Sequence, residues 1–365
     1  MFNYINNDYE FFSWQACDKI TKQRGIPDEE LYDDANLYHS VEFAQYDYLQ
    51  RGQYGEANKM LTRMDSIIAK LDGRKNWKKT KELVWIQKRM FTRQITEAFR
   101  VNRMLHTDDR GALGSDPISD GSMNYAAISE IGIALLHVFQ HAMLCAEREE
   151  GTSCLDDTFI SAAVNRSEML KENVINRESI LEYTKGMVDM LHQVLLGIIE
   201  LAEFVRPHGF QCYLKKNCNK QIGKKKWQKI VNGPLKKATE IQKNKMIQSS
   251  ATPTLLFIPS YEIYGQVLLF LGKYSEAKDM FEFSLEERMG RTLSLLGLAR
   301  AHAMLGNTQQ ADYFYQYLRT QLQDADEDNM VLNEADSWNM GYITAETLRD
   351  NWFWPYFTRY TNTKN

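Results

Sequence analysis

The chain has 365 residues, 44% hydrophobic and 25% charged, with a formal net charge of −4. That balance is ordinary for a folded globular chain and argues neither for a nucleic-acid binder nor for an acidic-tail protein. Seven prolines in such a length fit a chain that is mostly helical, with room for one large core or array.

From the N-terminus, MFNYINNDYEFF lacks a basic start and an apolar core, so no secretory signal is read there, and a cytoplasmic location is expected. Asn7–Arg24 reads as a helix, broken by Gly25-Ile26-Pro27-Asp28. Residues 38–71 form a helical hairpin, from Leu37–Arg51 and Gly55–Leu71. Residues 75–250 read as degenerate helical pairs with insertions. Trp77–Leu105 is amphipathic through Leu83, Ile86, Met90, Ile95, Phe99 and Val101. Thr107–Gly121 is a Gly-, Asp- and Ser-rich loop, and Asn124–Glu150 a long helix. Thr158–Lys171 and Ser179–Val205 follow as a pair joined at Asn173–Asn176. Met187–Val205 is the longest apolar candidate for a membrane span, but Asp189, His192, Gln193, Glu200 and Glu203 interrupt it. Arg206–Gly223 reads as an irregular insertion, and Lys224–Ile247 as a helix broken at Gly233-Pro234.

Residues 258–322 hold the strongest pattern. FLGKYSEAKDMF (Phe270–Phe281) returns thirty-four residues later as MLGNTQQADYFY (Met304–Tyr315), placing Gly272 on Gly306, Ala277 on Ala311 and Phe281 on Tyr315. A glycine closes the first helix of each copy, a small residue lets the second helix approach, and an aromatic fills the space one turn on. Ile258–Leu271 and Ser275–Arg288 are the expected helices of the first copy. Asp324–Asp336 reads as an acidic linker. The segment 338–365 carries Trp352, Phe353, Trp354, Tyr356 and Phe357 and reads as an aromatic cap on the last helix, the alternative being a tail folded back into a groove.

The stretch PSYEIYGQVLLFLGKYSEAKDMFEFSLEERMGRTLSLLGLARAHAMLGNTQQADYFYQYL resembles the closing repeats of a tetratricopeptide-repeat (TPR) family common in bacteria. Tyr38–Leu61 resembles an earlier segment of that family, with Gly52, Ala57 and Leu61 at the offsets of Gly272, Ala277 and Phe281. A histidine-bearing segment of the family has no counterpart here, so any chemistry belonging to it does not carry over. The resemblance implies an all-α fold, a TPR-like right-handed superhelix of antiparallel helix hairpins forming one elongated domain, whose concave face binds protein or peptide ligands.

Candidate site residues are few. Helical phase puts Glu262, Gln266, Ser294 and Arg300 on the polar side of their helices as outward-facing groove residues. His137, His141 and Cys145 stand four apart on one helical face, a spacing that suits a metal half-site as well as packed core residues. Cys212 and Cys218 are too widely spaced for a zinc knuckle, and five scattered cysteines do not make a disulfide framework. Eleven lysines and one acid lie between Lys215 and Lys245, a local +10 that leaves −14 for the rest. Lys224, Lys225, Lys226, Lys229, Lys236 and Lys237 thus make either a solvated face or a docking patch for an acidic partner. With no arginine in that run and Trp227 the one aromatic within Lys224–Lys245, nucleic acid is a poor fit. No P-loop, dinucleotide fingerprint or nucleophile elbow is present, so no cofactor and no intrinsic catalysis are expected. The reading is a protein-binding scaffold, with a metal-binding protein or metal-dependent enzyme using His137, His141 and Cys145 as the alternative.

Overall fold

The structure, a computed structural model, describes residues 35–71, 157–176, 182–205, 229–244 and 259–348, with eight helical positions between 83 and 97. The described residues are helical with no strand among them, so the all-α expectation holds. In chain order the helices are α1 (Ala35–Gln50), α2 (Tyr54–Leu71), α3 (Asp157–Ile175), α4 (Glu182–Val205), α5 (Pro234–Asn244), α6 (Ser260–Phe270), α7 (Tyr274–Glu287), α8 (Thr292–Met304), α9 (Thr308–Gln321), α10 (Met330–Asn339) and α11 (Ala345–Leu348). Asn7–Arg24, Thr107–Gly121, Asn124–Glu150, Arg206–Gly223 and the aromatics at 352–357 lie outside the described residues. None of the described helices is long and apolar enough to cross a membrane.

The turns follow from the glycines. Gly272 has φ +75° and Gly306 φ +78°, a left-handed backbone that costs a side-chain-bearing residue about 1–2 kcal/mol. At each, two hydrogen bonds close the helix: Gly272 N–H to the Leu269 carbonyl (2.9 Å) and Lys273 N–H to that of Leu268 (2.8 Å), then Gly306 N–H to Ala303 (3.1 Å) and Asn307 N–H to His302 (2.9 Å). The same pair recurs at Gly52 and at Gly341. At the first three turns the next helix starts at once, since Ala57, Ala277 and Ala311 donate back to Gln53, Lys273 and Asn307. Links this short make α1–α2, α6–α7 and α8–α9 antiparallel hairpins.

Those three alanines are fully buried, as small residues at close helix contacts should be. Phe281 of α7 lies between two glycines on different helices. A Cβ added at Gly265 of α6 would meet its ring at 2.9 Å, and one at Gly297 of α8 at 2.3 Å. One aromatic therefore sets the spacing of three helices, and α6 through α10 pack each against the next. Pro234 opens α5 just after the bend at Gly233, where its missing N–H costs no helical bond.

One expectation is corrected here. Asp324–Asp336 is not a linker throughout, because α10 begins at Met330. The Asn329 side chain caps the Leu332 N–H at 2.9 Å, and Val331 and Ala335 are fully buried.

The apolar core is divided. One cluster runs from Leu170 to Leu348 through α3–α11. A second joins Val41, Ala44, Met60, Leu61, Met64 and Ile67 to Leu83, Ile86 and Met90, with a small satellite of Leu49, Tyr54 and Ala57. The α1–α2 hairpin meets the C-terminal helices mainly through polar groups. Repeats touching only their sequence neighbours would keep residues 50–55 apart from 290–329. Here the Asp326 N–H donates to the Gly52 carbonyl (3.1 Å) and the Gly55 N–H to Asp326 Oδ2 (3.1 Å).

Candidate functional site

The polar meeting point is built on α6 and α8. Glu262 lies on the first turn of α6, and Arg291 directly precedes α8. Arg291 donates from Nε to Glu262 Oε2 (2.9 Å) and from Nη2 to Glu262 Oε1 (2.8 Å), a two-pronged ion pair with both side chains buried. Its Nη1 reaches Glu97 Oε1 at 3.2 Å. Ser294 donates to Glu262 Oε2 (2.6 Å) and lies 2.8 Å from the Ser284 hydroxyl.

From the other end of the chain, Gln50 at the close of α1 completes the arrangement. Its Nε2 donates to Glu97, its Oε1 accepts the Thr292 N–H (2.9 Å), and its carbonyl accepts from the Thr292 hydroxyl and from Gln321 Nε2 (2.8 Å). Beside this, Arg93 donates to Glu42 and Gln45, each at 3.4 Å, and sits 5.7 Å from the Tyr46 ring centroid.

Burial dominates the electrostatics. It opposes the charge on Arg291, but Glu262 and Glu97 more than outweigh it, so the guanidinium pKa stands well above its usual value. Burial pushes the Glu97 carboxyl up, against the pull of Arg291, and pushes the Tyr46 hydroxyl up to about 12. Glu42, Glu97 and Glu262 thus gather around two buried guanidiniums. No metal cluster of three or more His, Cys, Asp or Glu occurs among the described residues.

The four groove residues correct the sequence reading. Glu262, Gln266, Ser294 and Arg300 do not face outward; all four have zero exposure. Helical phase separates polar from apolar sides, but here the polar sides of α6 and α8 are enclosed. Glu262 and Ser294 join the Arg291 cluster. Arg300 instead pairs with Glu334 of α10, at 2.9 and 2.6 Å. Gln266, one turn along from Glu262, has no hydrogen-bond partner for either amide atom.

On the lysine run, Lys236 and Lys237 are exposed on α5, and Lys229 is exposed and pairs with Glu200 at 3.1 Å. Lys224, Lys225 and Lys226 lie outside the described residues, as do His137, His141 and Cys145.

Arg291, Glu97, Gln50 and Thr292 escaped the sequence reading. Their contacts span 194 and 242 residues, and nothing local marks them. A buried Ser–His pair also appears, Ser167 Oγ to His192 Nδ1 at 2.8 Å. Ser167 has no exposure, burial lowers the His192 pKa, and Asp189 is engaged by Lys171 at 2.7 Å. That is a satisfied core contact, without the access a nucleophile needs. Comparison of the chain with protein families, with curated proteins and with solved structures finds no match.

Proposed function

We propose that the chain is a TPR-type scaffold, a right-handed superhelix of helix pairs that holds a protein or peptide ligand and performs no chemistry of its own. The observation that carries this reading is a row of equivalent positions. Gln266, Arg300 and Glu334 follow one another at the thirty-four-residue period on α6, α8 and α10, and all three are polar and enclosed. A core built for stability alone favours apolar residues there, since buried polar groups cost free energy unless bonded. Arg300 and Glu334 bond to each other, whereas Gln266 has neither amide atom bonded, a donor and an acceptor that the backbone of an extended ligand can use.

The test is selection of extended peptides from a displayed library on the full chain, followed by calorimetric titration of the winners. Micromolar binding that weakens at least tenfold in Gln266→Leu, with helicity unchanged, is the expected result. No selected peptide, or equal affinity for the variant, overturns the scaffold reading.

A further inference from the structure

The joint between the two ends of the chain is unlike the packing on either side of it. Among the described residues, the apolar cluster of α1, α2, Leu83, Ile86 and Met90 reaches no further than Phe91, which packs on it, and the larger cluster begins at Val164 and Leu170. Between them stand Glu97, Gln50 and Thr292, the Arg291 guanidinium, and the turn at Gly52. That turn fits closely: a Cβ on Gly52 would meet Asn329 Nδ2 at 2.3 Å, the Ala325 Cβ at 2.9 Å and Leu322 Cδ2 at 3.0 Å. Further out, Gln53 Nε2 donates to the Asp324 carbonyl at 3.2 Å and Gly55 to Asp326, both exposed bonds.

We propose that α1, α2 and the 83–97 stretch act as a built-in ligand of the C-terminal repeats, docked reversibly and displaced by a partner peptide that brings its own carboxylate to Arg291. This rests on the scaffold reading and names how its site is regulated. Two units whose described apolar clusters are separate, and whose joint is mainly polar with Leu322 its one core member against the Gly52 turn, can part while uncovering little of either cluster. On parting, Arg291 keeps Glu262, while Glu97 and Gln50 pass into water, so no charge is left buried and unpaired. The docked state is also imperfect. Gln266, enclosed one turn from Glu262, has an amide donor and acceptor with no hydrogen-bond partner. A peptide with an acidic side chain at the place of Glu97 and a backbone amide one helical turn along would satisfy both Arg291 and Gln266. The joint therefore selects against weak ligands, since a partner must out-compete contacts the chain already makes.

Hydrogen exchange on the full chain tests this without any ligand. The Thr292 N–H, bonded across the joint to Gln50, is expected to exchange at least a hundredfold faster than the Leu298 N–H inside α8, through an opening insensitive to low denaturant. In a Gly55→Cys/Asp326→Cys chain, Thr292 exchange should slow at least tenfold on oxidation and recover on reduction. A synthetic peptide of residues 83–97 (LVWIQKRMFTRQITE) should bind the reduced chain at least tenfold tighter than the oxidised one, and lose that binding when its final Glu becomes Gln. Thr292 exchanging only with global unfolding in the unmodified chain overturns the proposal, as does equal peptide binding by the oxidised and reduced chains. Because the exchange measurement contains no partner, a joint that never opens is distinguishable from a scaffold that selects no peptide.

Discussion

Arg300 of α8 and Glu334 of α10 stand thirty-four residues apart and form a two-pronged buried ion pair, Nε to Oε1 at 2.9 Å and Nη2 to Oε2 at 2.6 Å. The Tyr315 hydroxyl also donates to Glu334 Oε1, at 3.0 Å. One position of the repeat thus speaks to the same position of the next. Removing one partner leaves a buried charge, so Glu334→Leu should lower unfolding free energy by about 3–5 kcal/mol. Arg300→Met with Glu334→Leu should regain most of that loss, because an apolar pair of similar volume needs no compensation. Urea unfolding of the two single variants and the double variant measures the coupling. Additive losses would refute it.

Gly297 and Gly306 are both glycines of the repeat, but for different reasons. A methyl at Gly297 would run into the Phe281 ring at 2.3 Å, whereas one at Gly306 meets nothing within 4 Å and is opposed only by φ +78°. Gly297→Ala should cost about 1–3 kcal/mol by overpacking, and Phe281→Leu in the same chain should return part of it. Gly306→Ala should cost about 1–2 kcal/mol, with no help from Phe281→Leu. A double-mutant cycle showing coupling at 306 and none at 297 would reverse the assignment.

This division explains what the sequence made legible. Gly52, Gly272 and Gly306, with Ala57, Ala277 and Ala311 after them, are short-range constraints: each turn needs its own residue, so the pattern prints the hairpins directly. Glu262 and Ser294 carry no such mark. Helical phase says which residues share a face but not what covers that face, and the covering groups, Glu97 and Gln50, come from the far end of the chain. Acidic composition likewise hid α10. The run after Asp324 reads as solvated until Asn329 is recognised as a cap and Val331 and Ala335 as one buried stripe.

Glu287, at the end of α7, accepts a hydrogen bond from Gln242 Nε2, whose Oε1 accepts the Ser260 N–H at 2.9 Å. Burial pushes its pKa up to about 7 from an ordinary 4.5, with Gln242 and Arg288 pulling the other way. The folded chain therefore holds this proton more tightly than the unfolded one. Its stabilising contribution is complete below about pH 4.5 and is lost as pH rises through about 7, with a slope of at most about 1.4 kcal/mol per pH unit. The difference in unfolding free energy between the native chain and Glu287→Gln should change across that window and stay level outside it. A difference level throughout would show that Glu287 ionises normally.

Gln266 separates stability from function most directly. Both of its amide atoms are enclosed without a hydrogen-bond partner, at a cost of about 1–3 kcal/mol for each group so stranded. Gln266→Leu removes that cost at similar volume and should raise unfolding free energy by about 1–2 kcal/mol. Gln266→Glu would instead bury a carboxylate one turn from Glu262 and should destabilise by a similar amount or more. A residue kept only for packing would be improved by leucine with nothing lost. If the amide is held for a ligand's backbone, the stabilised variant should be the one that no longer binds selected peptides, read by denaturation and titration on one preparation. A Gln266→Leu chain that is more stable and binds as before would assign Gln266 to packing alone.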